Sequence, residues 1–187
     1  MAEFPKQINV YEFVLRPVEA THDNAKMLYD IFSKDMKNLR FWVPNDDYQS
    51  ALDVFVSLKM REGYTQPYLY GIYKGDEFLG EIGLTGFSGA NKFAFVGYWL
   101  KESARGAGVI NKLLPTIEDI AFETLDINKL KLNCNPKNIA SRKIAEKNGY
   151  TLDGIMRADR VWPDGSIHDS CEYSKLRSEW EKGKQNA

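Results

Sequence analysis

The chain has 187 residues, one domain's worth at the usual ~100–200 residues, and a 43 % hydrophobic, 13 % aromatic composition that excludes global disorder. With 25 Lys plus Arg against 26 Asp plus Glu, the net charge is −1 and no field draws a polyanion, so nucleic acid is not implied. No run approaches the ~18–20 apolar residues of a membrane span, and the opening MAEFPKQINVYEF lacks an apolar signal core, so the chain reads as cytoplasmic with no membrane partner. Its two cysteines, Cys134 and Cys171, have no metal-ligand spacing and read as buried small hydrophobes, with no metal expected.

Taken in order, Phe13–Val18 alternates as a strand does. Thr21 or Asp23 then opens a helix over about residues 22–38, with Leu28, Ile31, Phe32, Met36 and Leu39 at helical spacing. Ser50 and Asp53 form a capping box with aspartate in the usual glutamate role, opening a helix of about residues 50–62 that Gly63 ends. Three strand-like runs follow, PYLYGIY, EFLGEIGLTGF and KFAFVGYWL. The short turns at Lys74-Gly75-Asp76 and Ser88-Gly89-Ala90-Asn91 make them an antiparallel meander. The period then changes, because Ile110, Leu113, Leu114, Ile117, Ala121 and Leu125 share one helical face. A strand KLKLNC, a helix from about Asn138 to Asn148 closed by Gly149, and two strands around Trp162-Pro163-Asp164-Gly165 complete the pattern.

This order predicts a mixed α/β (α+β) sheet, mostly antiparallel, with one parallel pair where KFAFVGYWL and KLKLNC flank a single helix. One domain is expected over residues 11–180, followed by a polar, frayed tail at residues 181–187.

Arg105-Gly106-Ala107-Gly108-Val109-Ile110 joins the end of a strand to the start of the best-patterned helix. Two glycines let the backbone approach a ligand, and the first N–H groups of a helix are unpaired donors at the positive end of its dipole, a cradle for phosphate. A Walker loop is excluded because no Gly-Lys-Ser or Gly-Lys-Thr triplet follows. A dinucleotide fingerprint fails at Asn111 and at Asp126, which precedes the next strand and does not end it. A glycine turn that only feeds a helix is the remaining plain reading.

The flanks resemble the GNAT superfamily of N-acetyltransferases, and within it the RimJ/RimL-like branch. The family's pattern of Arg or Gln, two residues, glycine, one residue, then glycine or alanine is met at Arg105 and Gly108 and departed from at Ile110. Gly97-Tyr98-Trp99-Leu100 resembles the strand whose backbone pairs with pantetheine. Asn138-Ile139-Ala140-Ser141 and Glu146-Lys147-Asn148-Gly149-Tyr150 resemble the later helix and its end, and Gly165 through Trp180 resembles the last strand. These segments are ordered and spread over about residues 13–180.

The resemblance implies a GNAT-like sheet with a splayed parallel pair and helices on both faces, and transfer of an acetyl group from acetyl-CoA to a primary amine. The acceptor would be a protein N-terminal α-amine, such as that of a ribosomal protein, or a small-molecule amine. It further implies that the backbone of Arg105, Gly106, Ala107, Gly108, Val109, Ile110 and Asn111 binds pyrophosphate, with Arg105 adding charge. An N–H near Trp99 or Leu100 would polarise the thioester, and Asn138 and Ser141 would meet pantetheine. Ser141 is the expected donor to the departing thiolate, with Tyr150 or Tyr98 as substitutes. Trp42, with Pro44, Asp46 and Asp47 beside it, and Tyr98 would border the acceptor.

Many members carry an acid on the strand before the glycine loop, but Phe93-Ala94-Phe95-Val96 has none. Glu81 is the expected stand-in base, ahead of Asp159, with a base acting through water as the alternative and Asp46, Asp47 and His168 as weaker candidates. That missing acid keeps a second class in view, a non-catalytic acyl-CoA-binding regulatory protein. It also leans the acceptor toward a low-pKa α-amine. A homodimer is one assembly open to such a chain.

Overall fold

The computed structural model describes residues 5–39, 50–63, 69–161 and 165–185. In chain order they form β1 (Ile8–Val10), β2 (Phe13–Arg16), α1 (His22–Leu39), α2 (Ala51–Gly63), β3 (Leu69–Lys74), β4 (Glu77–Ser88) and β5 (Phe93–Leu100). A helical turn at Glu102–Ala104 leads to α3 (Val109–Thr124), β6 (Lys129–Cys134), α4 (Ile139–Lys147), β7 (Thr151–Val161), β8 (Ile167–Leu176) and α5 (Arg177–Gln185). The strands make one sheet, ordered β1-β2-β3-β4-β5-β6-β8-β7. Its pairs are antiparallel except β5 with β6. The meander expected from the short turns is β3–β4–β5, and the parallel pair is β5–β6 about α3.

The sheet is covered on both faces. One face packs Leu28 and Phe32 of α1 and Val54 and Leu58 of α2 against Tyr73, Phe78 and Trp99. The other packs Leu113, Leu114, Ile117 and Phe122 of α3 and Ala145 of α4 against Ile72, Ile82, Leu130 and Tyr173. Neighbouring strand residues point oppositely, so Tyr98 belongs to the α3/α4 side and its neighbour Trp99 to the α1/α2 side. That alternation decides which residues can share a site.

The helix ends follow local chemistry. Thr21 opens α1, its hydroxyl accepting the Asn24 N–H at 3.2 Å. At the start of α2 the Asp53 N–H donates to Ser50 Oγ at 3.4 Å, and Asp53 Oδ2 accepts the Ser50 N–H at 2.8 Å, the reciprocal box expected from the sequence. Ser50→Ala should therefore lower stability by about 1 kcal/mol, read as a shifted denaturation midpoint at constant slope; an unmoved midpoint would show that α2 does not depend on this cap.

Three features differ from the sequence reading. The first strand stops at Arg16, short of Val18, and pairs with β1, which was not foreseen. The connecting turn uses Tyr11 at φ +52, where glycine or asparagine would have announced a hairpin. The expected frayed tail is α5 as far as Gln185. Its sequence has no apolar stripe; it is held by Trp180, whose ring lies 5.3 Å from Phe122 and whose Nε1 donates to Asp119 at 2.8 Å.

Candidate active site

β5 and β6 pair only over Phe93↔Lys129, Ala94↔Leu130 and Phe95↔Lys131. Beyond Phe95, β5 stays with β4 as far as Leu100, while β6 stays with β8 as far as Cys134↔Cys171. The strands part because each follows a different neighbour, and a cleft of about 280 Å³ opens between them. Val96, Tyr98, Leu132 and Cys134 line it on the α3/α4 side together with Asn138 and Ser141, and Thr85, Phe95, Asn133, Ser170 and Arg160 line it beyond the sheet. Past Phe95, the edge of β5 that faces β6 has no ladder in this sheet. An extended ligand carrying amides fits that edge, since buried backbone groups must be paired.

The glycine loop lies at the head of α3. Gly106 and Gly108 stand at φ +76 and +73, in the left-handed region. Among the described residues, the chain neighbours aside, no atom lies within 4 Å of where a Cβ would project from either, so the backbone angle, not crowding, favours glycine. Gly108 is the N-cap of α3 with no side-chain cap, and the first turn carries no acid. The first bond within the helix runs from the Lys112 N–H to the Gly108 carbonyl. The N–H groups of Val109, Ile110 and Asn111 therefore precede the helical ladder and suit an anion. Exposed Ala107 sits between the glycines, while the side chains of Val109 and Ile110 are buried. The side chain of Asn111 turns away from the loop, accepting from Asn148 Nδ2 at 2.8 Å and tying α3 to the end of α4. Arg105 also turns away, with Nε donating to the Leu100 carbonyl at 2.9 Å and Nη2 paired with Asp35 of α1.

On the opposite wall Asn138 caps α4, its Oδ1 accepting the Ser141 N–H at 3.1 Å. The Ser141 and Tyr98 side chains line the cleft together. Burial pushes the Tyr98 phenol well above its ordinary pKa, and the nearby Ser141 hydroxyl offsets only part of that. Tyr98 therefore stays protonated through the physiological range. The Cys134 thiol is pushed up to about 12, chiefly by burial; this is the inert small residue expected, not a nucleophile.

The carboxylates fall differently from the order expected. Glu81, on β4 opposite Trp99, is buried on the α1/α2 side, where its Oε2 accepts the Trp99 Nε1–H at 2.8 Å. It does not line the cleft. Asp159 reaches the cleft through a neighbour. The β7–β8 register shifts between Met156 and Arg160, with Ala158 at φ +53 and its N–H on Asp169 Oδ1 at 2.9 Å. There Asp159 Oδ2 accepts from the buried Ser170 hydroxyl, and Arg160 Nε lies 3.2 Å from the same oxygen. His168, opposite Arg160, contacts Ser166 Oγ through Nε2 at 2.8 Å. Trp42, Pro44, Asp46 and Asp47 lie outside the described residues.

Asn133, Ser170, Arg160 and Thr85 were not singled out from the sequence. For Asn133 a signal existed: in KLKLNC the polar Lys131 and Asn133 alternate with the apolar Leu130, Leu132 and Cys134, marking a face away from the core. Nothing comparable marks Ser170, whose place depends on the β7 bulge. Among the described residues no group of His, Cys, Asp or Glu gathers as a metal site, and no helix is long and apolar enough to cross a membrane.

The family model for the acetyltransferase (GNAT) domain matches residues 12–151. A ribosomal-protein-serine acetyltransferase of Escherichia coli (strain K12) is 28 % identical over 142 residues, covering 72 % of this chain and 78 % of that protein. An acetyltransferase structure described as modifying the N-terminal serine of the 50S ribosomal subunit protein L7/L12 from Salmonella typhimurium matches with a TM-score of 0.74 at 25 % identity, over 89 % of this chain and 95 % of that one. The fold is also similar to that of RimL, the ribosomal L7/L12 α-N-protein acetyltransferase, in its complex with coenzyme A. The TM-score there is 0.79 at 24 % identity, over 92 % of this chain and 99 % of that one.

Proposed function

The chain belongs to the GNAT acetyltransferase family, as an acetyl-CoA-dependent N-acetyltransferase of the RimL-like branch, and from that premise we propose that its acceptor is the α-amino group of a polypeptide chain. The observation that carries this is the lining of the cleft: among the described residues it is mostly polar at the end beyond the sheet, where Thr85, Asn133, Ser170 and Arg160 join Phe95, and none of them has a carboxylate side chain. A lysine ammonium, with a pKa near ~10.4, needs a strong local proton acceptor before it can attack, whereas an α-amine near ~7.7–8.0 is partly neutral already. The relative named a ribosomal-protein-serine acetyltransferase and the structure described as modifying an N-terminal serine support the same acceptor class.

The residues divide the work as follows. Acetyl-CoA supplies the activated thioester. The amides of Val109, Ile110 and Asn111 hold its pyrophosphate, the free edge of β5 past Phe95 pairs with the pantetheine amides, and an N–H at Trp99 or Leu100 polarises the carbonyl. Ser141, which lines the cleft with Tyr98, protonates the departing thiolate. Asp159 receives the amine proton through Ser170, and Glu81 braces Trp99. The amine nitrogen forms the new bond as the C–S bond breaks. The ammonium first gives one proton to Asp159 through Ser170; as the thiolate departs it takes the Ser141 proton, and the second nitrogen proton, released as the amide forms, returns to Ser141.

Thiol release from acetyl-CoA with short peptides tests the acceptor. Peptides with a free N-terminal serine are expected to turn over, and the same peptides N-formylated but retaining an internal lysine are not. Equal turnover of the blocked peptides would replace the α-amine with a side-chain amine.

A second expectation concerns pH. The kcat/KM should rise through the acceptor's own pKa and level off above it, and Glu81→Gln should leave that profile nearly unchanged. Asp159→Asn should lower kcat by about 10–100-fold, the low end of general acid–base catalysis. A large loss with a new limb in Glu81→Gln, and none in Asp159→Asn, would transfer the base to Glu81.

A further inference from the structure

In the sequence Arg105 is a charge offered to the pyrophosphate, but in the fold that charge is directed elsewhere. Its guanidinium spans two elements, Nε on the Leu100 carbonyl at 2.9 Å and Nη2 on the carboxylate of Asp35. Asp35 is the residue at which α1 bends, with φ −133° and ψ 26°, and its side chain is 11 % exposed. The residues that follow Arg105 are less enclosed: Gly106 and Ala107 are exposed, and among the described residues, the chain neighbours aside, no atom lies within 4 Å of the Cβ position of Gly106 or Gly108. Two glycines carry the largest conformational entropy per residue, so a loop of this kind aims the first amides of α3 only if its base is held.

We propose that Asp35 is a positioning residue for acetyl-CoA: it holds Arg105 against the Leu100 carbonyl, and this fork sets the loop and the direction of the α3 amides, while the guanidinium's charge is spent on Asp35 and not on the cofactor. The inference rests on pyrophosphate binding at the glycine loop. It also joins the cofactor loop to α1, on the opposite face of the sheet. Only a planar guanidinium reaches the carbonyl and the carboxylate together; a lysine ammonium keeps the charge and loses the fork.

The two roles of Arg105 differ in sign. If Arg105 were a direct charge for the pyrophosphate, Asp35 would be its competitor; Asp35→Asn would tighten CoA binding and Arg105→Lys would keep most of it. If Arg105 is a brace, both substitutions weaken binding. Calorimetric titration of CoA into the full chain is expected to show Asp35→Asn and Arg105→Lys each weakening Kd by about 3–10-fold, the cost of ordering one long side chain and its neighbours. The double variant should be no worse than the weaker single one, because the pair acts as a unit. The KM for acetyl-CoA should rise in parallel, with kcat at saturation within about twofold; a general loss of structure would lower both. Circular dichroism confirms folding, and Asp35→Asn, which is isosteric, carries the test if Arg105→Lys is unstable.

Unchanged or tighter binding in Asp35→Asn, or losses that multiply in the double variant, would overturn the proposal. Gly108→Asp serves as the control for the loop itself. If it weakens binding while Asp35→Asn does not, the loop reading stands and the brace falls; if it has no effect, the loop reading falls as well.

Discussion

Gly108→Asp should weaken CoA binding by more than about 100-fold in a protein that remains folded. The new carboxylate would stand at the N-cap of α3 and occupy the amides of Val109, Ile110 and Asn111 that the pyrophosphate needs. It would also place a negative charge within about 4 Å of the phosphates, worth about 4 kcal/mol near a protein surface. The folded state should tolerate the change: the Cβ meets no atom within 4 Å, and aspartate is among the few residues that adopt φ near +73° at modest cost. Gly108→Asn has nearly the same shape without the charge and should lose far less affinity. Titration calorimetry on both variants, with circular dichroism for folding, measures the difference; equal affinities for folded Gly108→Asp and the parent chain would remove the loop from the cofactor site.

Ser141→Ala should lower kcat by about 10–1,000-fold, the scale of a lost general acid, with the Kd for acetyl-CoA nearly unchanged. Ser141 sits in the first turn of α4, where Asn138 Oδ1 already satisfies its N–H, so removing the hydroxyl leaves the helix cap in place. Tyr98→Phe should give a smaller loss in the same direction, because its phenol lies in the cleft with the serine and is a second proton donor there. The sign of the pH dependence follows from burial. The phenol of Tyr98 is raised above its ordinary value, so the phenol beside the Ser141 donor stays neutral as pH rises through ~10, where an exposed tyrosine would titrate. The parent enzyme should show no alkaline fall there. A loss confined to cofactor affinity in Ser141→Ala would make Ser141 a binding residue only.

The site was legible in the sequence wherever chemistry is local. Gly106 and Gly108 announce a backbone that only glycine adopts easily, and their place between a strand and a strongly periodic helix announces an anion cradle. Asn138 three residues before Ser141 announces a capped helix start. The two cysteines, without ligand spacing, announce packing. The acid was harder to place. Glu81 and Asp159 are both single carboxylates in strand-like runs, and nothing in either run tells which neighbour its strand will face. Register and one bulge answered that question: Glu81 turned to Trp99, while the shift near Ala158 brought Asp159 to Ser170.

By itself the sequence determined the order of helices and strands from β2 to β8, the meander, the single crossover and the glycine turn, because periodicity, caps and backbone freedom act within a few residues. Only the tertiary structure decided the rest. Where β5 and β6 part depends on their pairing with β4 and β8, and the side of the cleft on which each residue falls depends on that register. Arg105 points to Asp35, 70 residues earlier, and Trp180 holds α5 through Phe122 and Asp119. Each of these is a contact between segments distant in the chain. No local period encodes such a contact, since it exists only once the whole sheet has fixed the distance between its partners.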